Sequence, residues 1–231
     1  MLVDSFSAFR KEVHWVNKQL PKAGLVTMHS GNASGYDRRS GLILIKPSGV
    51  DYEKLRPQDL VAVHLNGQIA QPEEIPDKIQ SQLNPSVDTK IHLGLYRADP
   101  KLGGIVHTHS CYATAWAALG KAIPCALTAI ADEFGGAIPC APYVDPVEEK
   151  ITGAILENRS RGPAILLGQH GVFAFDISPQ AALKAAVMVE DAARTLSIAA
   201  GMGKLRPLTK RNLSLWWERY HTSYGQSSKT L

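Results

Sequence analysis

The run Gly103-Gly104-Ile105-Val106-His107-Thr108-His109-Ser110 constrains this chain more than any other segment. Ile105 and Val106, after two glycines, read as a short buried strand. A strand places residues i and i+2 on one face, so His107 and His109 can direct two imidazoles at one point. That arrangement suits a borderline divalent ion such as zinc, which takes neutral imidazole nitrogen readily. Two polar residues at a strand end, hydrogen-bonded to backbone, would produce the same pattern. The pair alone therefore leaves metal binding open.

At 231 residues the chain is long enough to bury the core of one large domain, with 45% apolar and 20% charged residues. No run approaches the roughly 18 apolar residues of a membrane span. Met1-Leu2-Val3-Asp4-Ser5-Phe6 lacks the basic and then apolar pattern of a signal peptide. Cys111, Cys125 and Cys140 are odd in number and have no metal-type spacing, so they read as reduced thiols of a cytoplasmic protein. The net charge of +4 is spread along the chain, which argues against a nucleic-acid partner and leaves room for a small anionic substrate.

Leu2, Phe6, Phe9, Val13, Val16 and Leu20 outline an amphipathic helix that Pro21 should stop. Leu25 begins a strand-like stretch that runs into a small polar loop through Gly31-Asn32-Ala33-Ser34. Leu42 to Ile45 is an apolar strand ending in the turn Lys46-Pro47-Ser48-Gly49, and Asn66-Gly67 joins the arms of a hairpin. Ser86 or Asp88 should cap a helix ending before Asp99-Pro100, and Ser110 a helix to about Leu119. Ile123-Pro124 to Ile130 is a strand candidate, and Pro146 opens a helix to about Asn158. Ala164 to Leu167 and Val172 to Phe175 are strands flanking Gly168-Gln169-His170-Gly171. Ser178-Pro179 then starts a long helix to Gly201. A last amphipathic helix holds Leu213, Trp216, Trp217 and Tyr220. These elements make one α/β domain without repeats or linkers.

A catalytic zinc takes about three protein ligands and keeps one position open. Of the eight histidines, His14 and His92 fall in helices and His64 in the hairpin, where surface or core roles are the ordinary reading. His170 sits in a tight turn whose flanking glycines permit close approach, which makes it the first choice for a third ligand. His29, beside Gly31-Asn32, stays as an alternative.

Gly31-Asn32-Ala33-Ser34, Lys46-Pro47-Ser48-Gly49, Pro85-Ser86-Val87-Asp88-Thr89, His107-Thr108-His109-Ser110 and Gln169-His170-Gly171 occur in the order and spacing of the class II aldolase/epimerase family. Ala131-Asp132-Glu133-Phe134-Gly135-Gly136 and Tyr224-Gly225-Gln226 resemble its epimerase branch. The resemblance covers residues 2 to 226, with 227–231 a flexible tail. It implies a three-layer α-β-α domain, residues 1–226, around a central, mainly antiparallel sheet.

By the same resemblance, His107, His109 and His170 hold a zinc, manganese or cobalt ion, with Asp88 as a carboxylate at the metal. An aspartate there, where the aldolases carry glutamate, favours the epimerases. Gly31, Asn32, Ser48, Gly49 and Ser86 are expected to hold a substrate phosphate through amides and hydroxyls. Val87 replaces a serine usual in the family and leaves only its backbone N–H for that task. The implied reaction interconverts L-ribulose 5-phosphate and D-xylulose 5-phosphate by breaking and remaking C3–C4. Asp132 and Tyr224 are the implied acid/base pair, Tyr224 coming from a neighbouring subunit of a homotetramer. The competing expectation is an aldolase of the fuculose-phosphate type that releases dihydroxyacetone phosphate. A non-enzymatic, adducin-like domain lacking metal ligands is disfavoured by the three histidines.

Overall fold

Leu42, Ile43, Leu44 and Ile45 are all buried, although successive residues of a strand point to opposite faces. Such a strand needs cover on both sides, and the fold supplies it. The computed structural model describes residues 2–224. In chain order it contains α1 (Leu2–Lys22), β1 (Asn32–Asp37), β2 (Leu42–Ile45), β3 (Val61–His64), α2 (Thr89–Ala98), β4 (Gly104–Thr108), α3 (Cys111–Ala118), α4 (Thr128–Phe134), β5 (Cys140–Ala141), α5 (Glu148–Asn158), β6 (Ala164–Leu167), β7 (Gly171–Asp176), α6 (Pro179–Met202) and α7 (Lys210–Thr222).

The strands form one seven-stranded sheet in the order β3-β2-β1-β4-β7-β6-β5. Among the described residues only β5 pairs parallel, to β6. On one face Ile43, Ile45, Ile105, Phe173 and Phe175 pack against Ile91 and Leu95 of α2 and Ile151 and Ile155 of α5. On the other, Val106, Val172 and Ala174 meet α1, α3, α4 and α6. Fully burying one such aliphatic side chain contributes about 2 kcal/mol. These two apolar layers hold the molecule together, so single truncations among polar residues at the sheet's end leave the fold standing. The three-layer, mainly antiparallel architecture matches expectation. Among the described residues no helix is long and apolar enough to cross a membrane. Gly225, Gln226 and the expected tail 227–231 lie outside the described residues.

Four local readings change. Asn32-Ala33-Ser34, expected in a loop, begins the central strand β1, paired to β2 and β4. Its small residues hide any apolar alternation but let α1 lie close, and the buried Ser34 hydroxyl is satisfied by His92 Nδ1 at 2.7 Å and Tyr96 Oη at 2.8 Å. The Ile123–Ile130 strand reduces to a single bridge between Ile123 and Ile138, because Pro124 has no N–H to continue a ladder; Thr128 instead starts α4. The arm after Asn66-Gly67 likewise pairs only as one bridge, Val63 to Ile69. Ser110 stands at the N-cap of α3 without capping it. The Glu190 carboxylate of α6 accepts from Tyr112 N and Ala113 N at 2.9 Å each. A smaller shift is that Pro21 sits in the last turn of α1 rather than ending it.

Gly104 shows why the glycines precede the histidine strand. A Cβ there would run into the backbone of Ser178 and Pro179 at the start of α6. Gly104→Ala is expected to cost about 2 kcal/mol through this overpacking. The urea midpoint should fall while the m-value holds; an unchanged midpoint would contradict the close approach.

Candidate metal centre and anion cavity

The register of the sheet assembles the site. His107, near the end of β4, lies opposite Asn32 of β1 on one side and Phe173 of β7 on the other. Its ring stacks on Phe173, with centroids 4.3 Å apart and planes 17° from parallel. Its Nδ1–H donates to the Val172 carbonyl at 2.9 Å, which leaves Nε2 as the lone-pair nitrogen. His109 follows the strand's last residue and brings its Nε2 to 3.0 Å from that of His107. His170 arrives from the β6–β7 turn, and one ligand nitrogen from each of the three rings lies within 4.8 Å of the others. Gly171 is needed beside it, since a Cβ there would sit 2.7 Å from His109 Cδ2.

Burial, assisted by the other two imidazoles, drives His107 down to about 3, so it stays neutral at physiological pH. His109 and His170 are also lowered by burial. Neutral, converging imidazole nitrogens, one with its ring NH anchored to a carbonyl, are what a zinc-type ion requires. Two nitrogens bound to one tetrahedral zinc stand roughly 3.3 Å apart, close to the separation found here between His107 and His109. The donor set fits a divalent ion.

Asp88, expected at the metal, stands at the N-cap of α2 outside the three-imidazole cluster. Its Oδ2 accepts from Asn32 Nδ2 at 2.6 Å. Burial pushes its carboxyl up, but the imidazoles of His107, His92 and His170 and the Asn32 amide prevail and hold it below the usual carboxylate range. It is therefore an anion facing the cluster.

The expected anion-binding residues Gly31, Asn32, Ser48, Gly49, Ser86 and Val87 line the same cavity of about 410 Å³ as His107, His109 and His170. Ser86 Oγ accepts from Asn32 Nδ2 at 3.0 Å and from the Asp88 N–H at 3.2 Å, which ties the serine loop to the metal side. Val87 is 76% exposed, so its methyl groups do not fill the space a serine would leave. Lys46 is the residue sequence reasoning missed. It is 2% exposed, its ammonium donates to the carbonyls of His29 and Pro47 at 3.3 and 3.4 Å, and it lies 4.6 Å from the Tyr52 ring centroid. Burial lowers it to about 8 against the pull of Asp51, which leaves it largely protonated at pH 7. A lysine ending an otherwise apolar strand was the available signal.

The other histidines stay outside the cluster. His14 Nε2 donates to the Leu55 carbonyl at 2.8 Å, His64 pairs with Glu74 at 3.2 Å, and His92 is held by Ser34. His29 lines the cavity but is not one of the three.

Asp132 and Tyr224 do come together, but elsewhere. They share a cleft of about 150 Å³ with Thr128, Trp216, Arg219 and Tyr220, where α4 packs against α7. No residue of this cleft lines the histidine cavity. Burial raises Asp132 from its ordinary value, against the pull of Arg219 and His221. One chain therefore carries two separate clefts.

A family model described as the class II aldolase and adducin N-terminal domain matches residues 11–197. L-ribulose-5-phosphate 4-epimerase UlaF of Salmonella paratyphi B is 38% identical over 94% of this chain and 98% of its own length. Among solved structures, an L-fuculose 1-phosphate aldolase superposes with a TM-score of 0.80 at 25% identity, covering 93% of this chain and 96% of the aldolase. YgbL from Escherichia coli gives 0.78 at 26% identity, covering 92% and 99%. With the match spanning most of the chain, and the three histidines converging where the fold places them, the protein belongs to the class II aldolase and adducin family.

Proposed function

We propose that the protein is an L-ribulose-5-phosphate 4-epimerase, interconverting L-ribulose 5-phosphate and D-xylulose 5-phosphate. The observation that carries this reading is one cavity that unites three neutral imidazoles with a lysine–serine–asparagine anion cradle. The epimerase relative, aligned over nearly its full length, favours this chemistry over the aldolase alternative. The reading includes a homotetramer working in the cytoplasm, where Cys111, Cys125 and Cys140 stay as the free thiols seen here.

The substrate's C4–H is not next to a carbonyl, so direct deprotonation at C4 is too costly. A base instead takes the C4 hydroxyl proton, the C3–C4 electron pair passes into a C2–C3 enediolate, and glycolaldehyde phosphate separates. Rotation of the aldehyde and re-addition to its other face returns the epimer. Lys46, Asn32, Ser48, Gly49, Ser86 and the Val87 N–H hold the phosphate so that the fragment turns without leaving. His107, His109 and His170, with Asp88 beside them, would hold a divalent zinc, manganese or cobalt ion, which would supply Lewis-acid stabilisation of the charge developing on the C2 ketone oxygen. Asp132 and Tyr224 serve as acceptor and donor for the C4 oxygen, one on each face. In this reading they act on the cavity of a neighbouring subunit, which their separation from the histidines of their own chain supports.

Treatment with a chelator should abolish turnover, and zinc, manganese or cobalt should restore it. Full turnover by protein stripped of metal would overturn the proposal.

A further inference from the structure

Lys184 of α6 is absorbed by neither the fold's apolar layers nor the chemistry above. Its ammonium lies 2.8 Å from Glu133 Oε2, on the residue that follows Asp132, and donates to Tyr220 Oη at 3.2 Å. Tyr220 stands four residues before Tyr224. The two rings lie 5.2 Å apart with planes 31° from parallel, and both line the cleft that holds Asp132. Burial acts against the ammonium, yet its bonds to Glu133 and Tyr220 raise it above the ordinary lysine range, so it stays charged throughout the working pH range.

The bland account is that Lys184 only neutralises Glu133, whose carboxylate is nearly inaccessible and needs a counter-charge. That account explains one bond of the ammonium. It does not explain the second, to a tyrosine hydroxyl on another helix that faces the cleft. We infer that Lys184 is a positioning residue: it joins α4 at Glu133 to α7 at Tyr220 and so seats Tyr224 against Asp132. The inference rests on the acid/base roles proposed for Asp132 and Tyr224. Displacing a reacting group by about an ångström costs rate far more than binding. The loss should therefore fall on kcat, with KM left in place.

Lys184→Met alone strands a buried carboxylate, so the test pairs it with Glu133→Gln, which removes both charges together. Glu133→Gln/Lys184→Met is expected to lower kcat for L-ribulose 5-phosphate about tenfold, with KM within about twofold of wild type and metal content unchanged. Tyr220→Phe keeps the ring, removes the second bond and should lower kcat in the same direction. Lys184→Arg, which can still reach both partners, should keep most of the wild-type rate. Wild-type kcat in both the double variant and Tyr220→Phe overturns the inference, as does a loss that appears in KM rather than kcat. Asp132→Asn and Tyr224→Phe are measured beside them. If those two are crippled while the Lys184 variants are not, the positioning role fails and the catalytic reading stands. If Asp132→Asn and Tyr224→Phe turn over normally, the catalytic reading fails first and the inference with it.

Discussion

His170→Ala should lose its metal and nearly all of its turnover while keeping its fold. His107 is locked by the Val172 carbonyl and the Phe173 ring, and His109 is drawn to it at 3.0 Å, so two donors remain in place when the third is cut away. Two imidazoles do not complete a catalytic zinc site, which takes three protein ligands. Lewis-acid stabilisation is worth several kcal/mol; about 4 kcal/mol corresponds to roughly a thousandfold in rate. The half-buried ring at the end of the sheet contributes little to the apolar layers, so the urea midpoint should move by less than about 1 kcal/mol equivalent. Elemental analysis of the purified variant, read beside kcat, checks both halves. Stoichiometric metal with normal turnover would remove His170 from the ligand set.

Asp132→Asn and Tyr224→Phe are the second pair with large expected effects. Each removes a proposed proton-transfer group while preserving shape, and general acid/base groups supply about 10² to 10⁴ in rate. Metal content should be untouched, because neither residue lines the histidine cavity. The separation of the two clefts on one chain adds a sharper expectation. His170→Ala and Asp132→Asn damage different half-sites, so mixed assemblies of these two inactive variants should rebuild intact sites. Random mixing yields about one whole site in four across a head-to-tail interface. Dissociating and reassembling the mixture should therefore restore turnover that neither variant has alone. No recovery would place Asp132 and His170 on the same site of one chain.

What could be read in the sequence follows from how each feature encodes itself. The histidine pair was legible because strand periodicity ties spacing to direction, and His170 because its flanking glycines mark a close approach. Strand β1 was not: Asn32-Ala33-Ser34-Gly35-Tyr36-Asp37 has no apolar alternation, and its burial is made tolerable by partners far along the chain, His92 and Tyr96. Lys46 was missed because a lysine after an apolar strand looks like an exit to solvent. Here it is folded back to the carbonyls of His29 and Pro47 and over Tyr52. The capping of α3 by Glu190, some eighty residues away, leaves no local mark at all. Motif matching paired Asp132 with Tyr224, and the packing of α4 on α7 accounts for their meeting in a cleft apart from the metal cavity.

Which bond is remade, and on what sugar, separates an epimerase from an aldolase. The direct measurement offers L-ribulose 5-phosphate and, separately, L-fuculose 1-phosphate to the metal-loaded protein and follows the products by NMR. D-xylulose 5-phosphate is expected from the first and no dihydroxyacetone phosphate from the second. Release of dihydroxyacetone phosphate from L-fuculose 1-phosphate, with L-ribulose 5-phosphate left unchanged, would contradict it and assign the cavity to an aldolase.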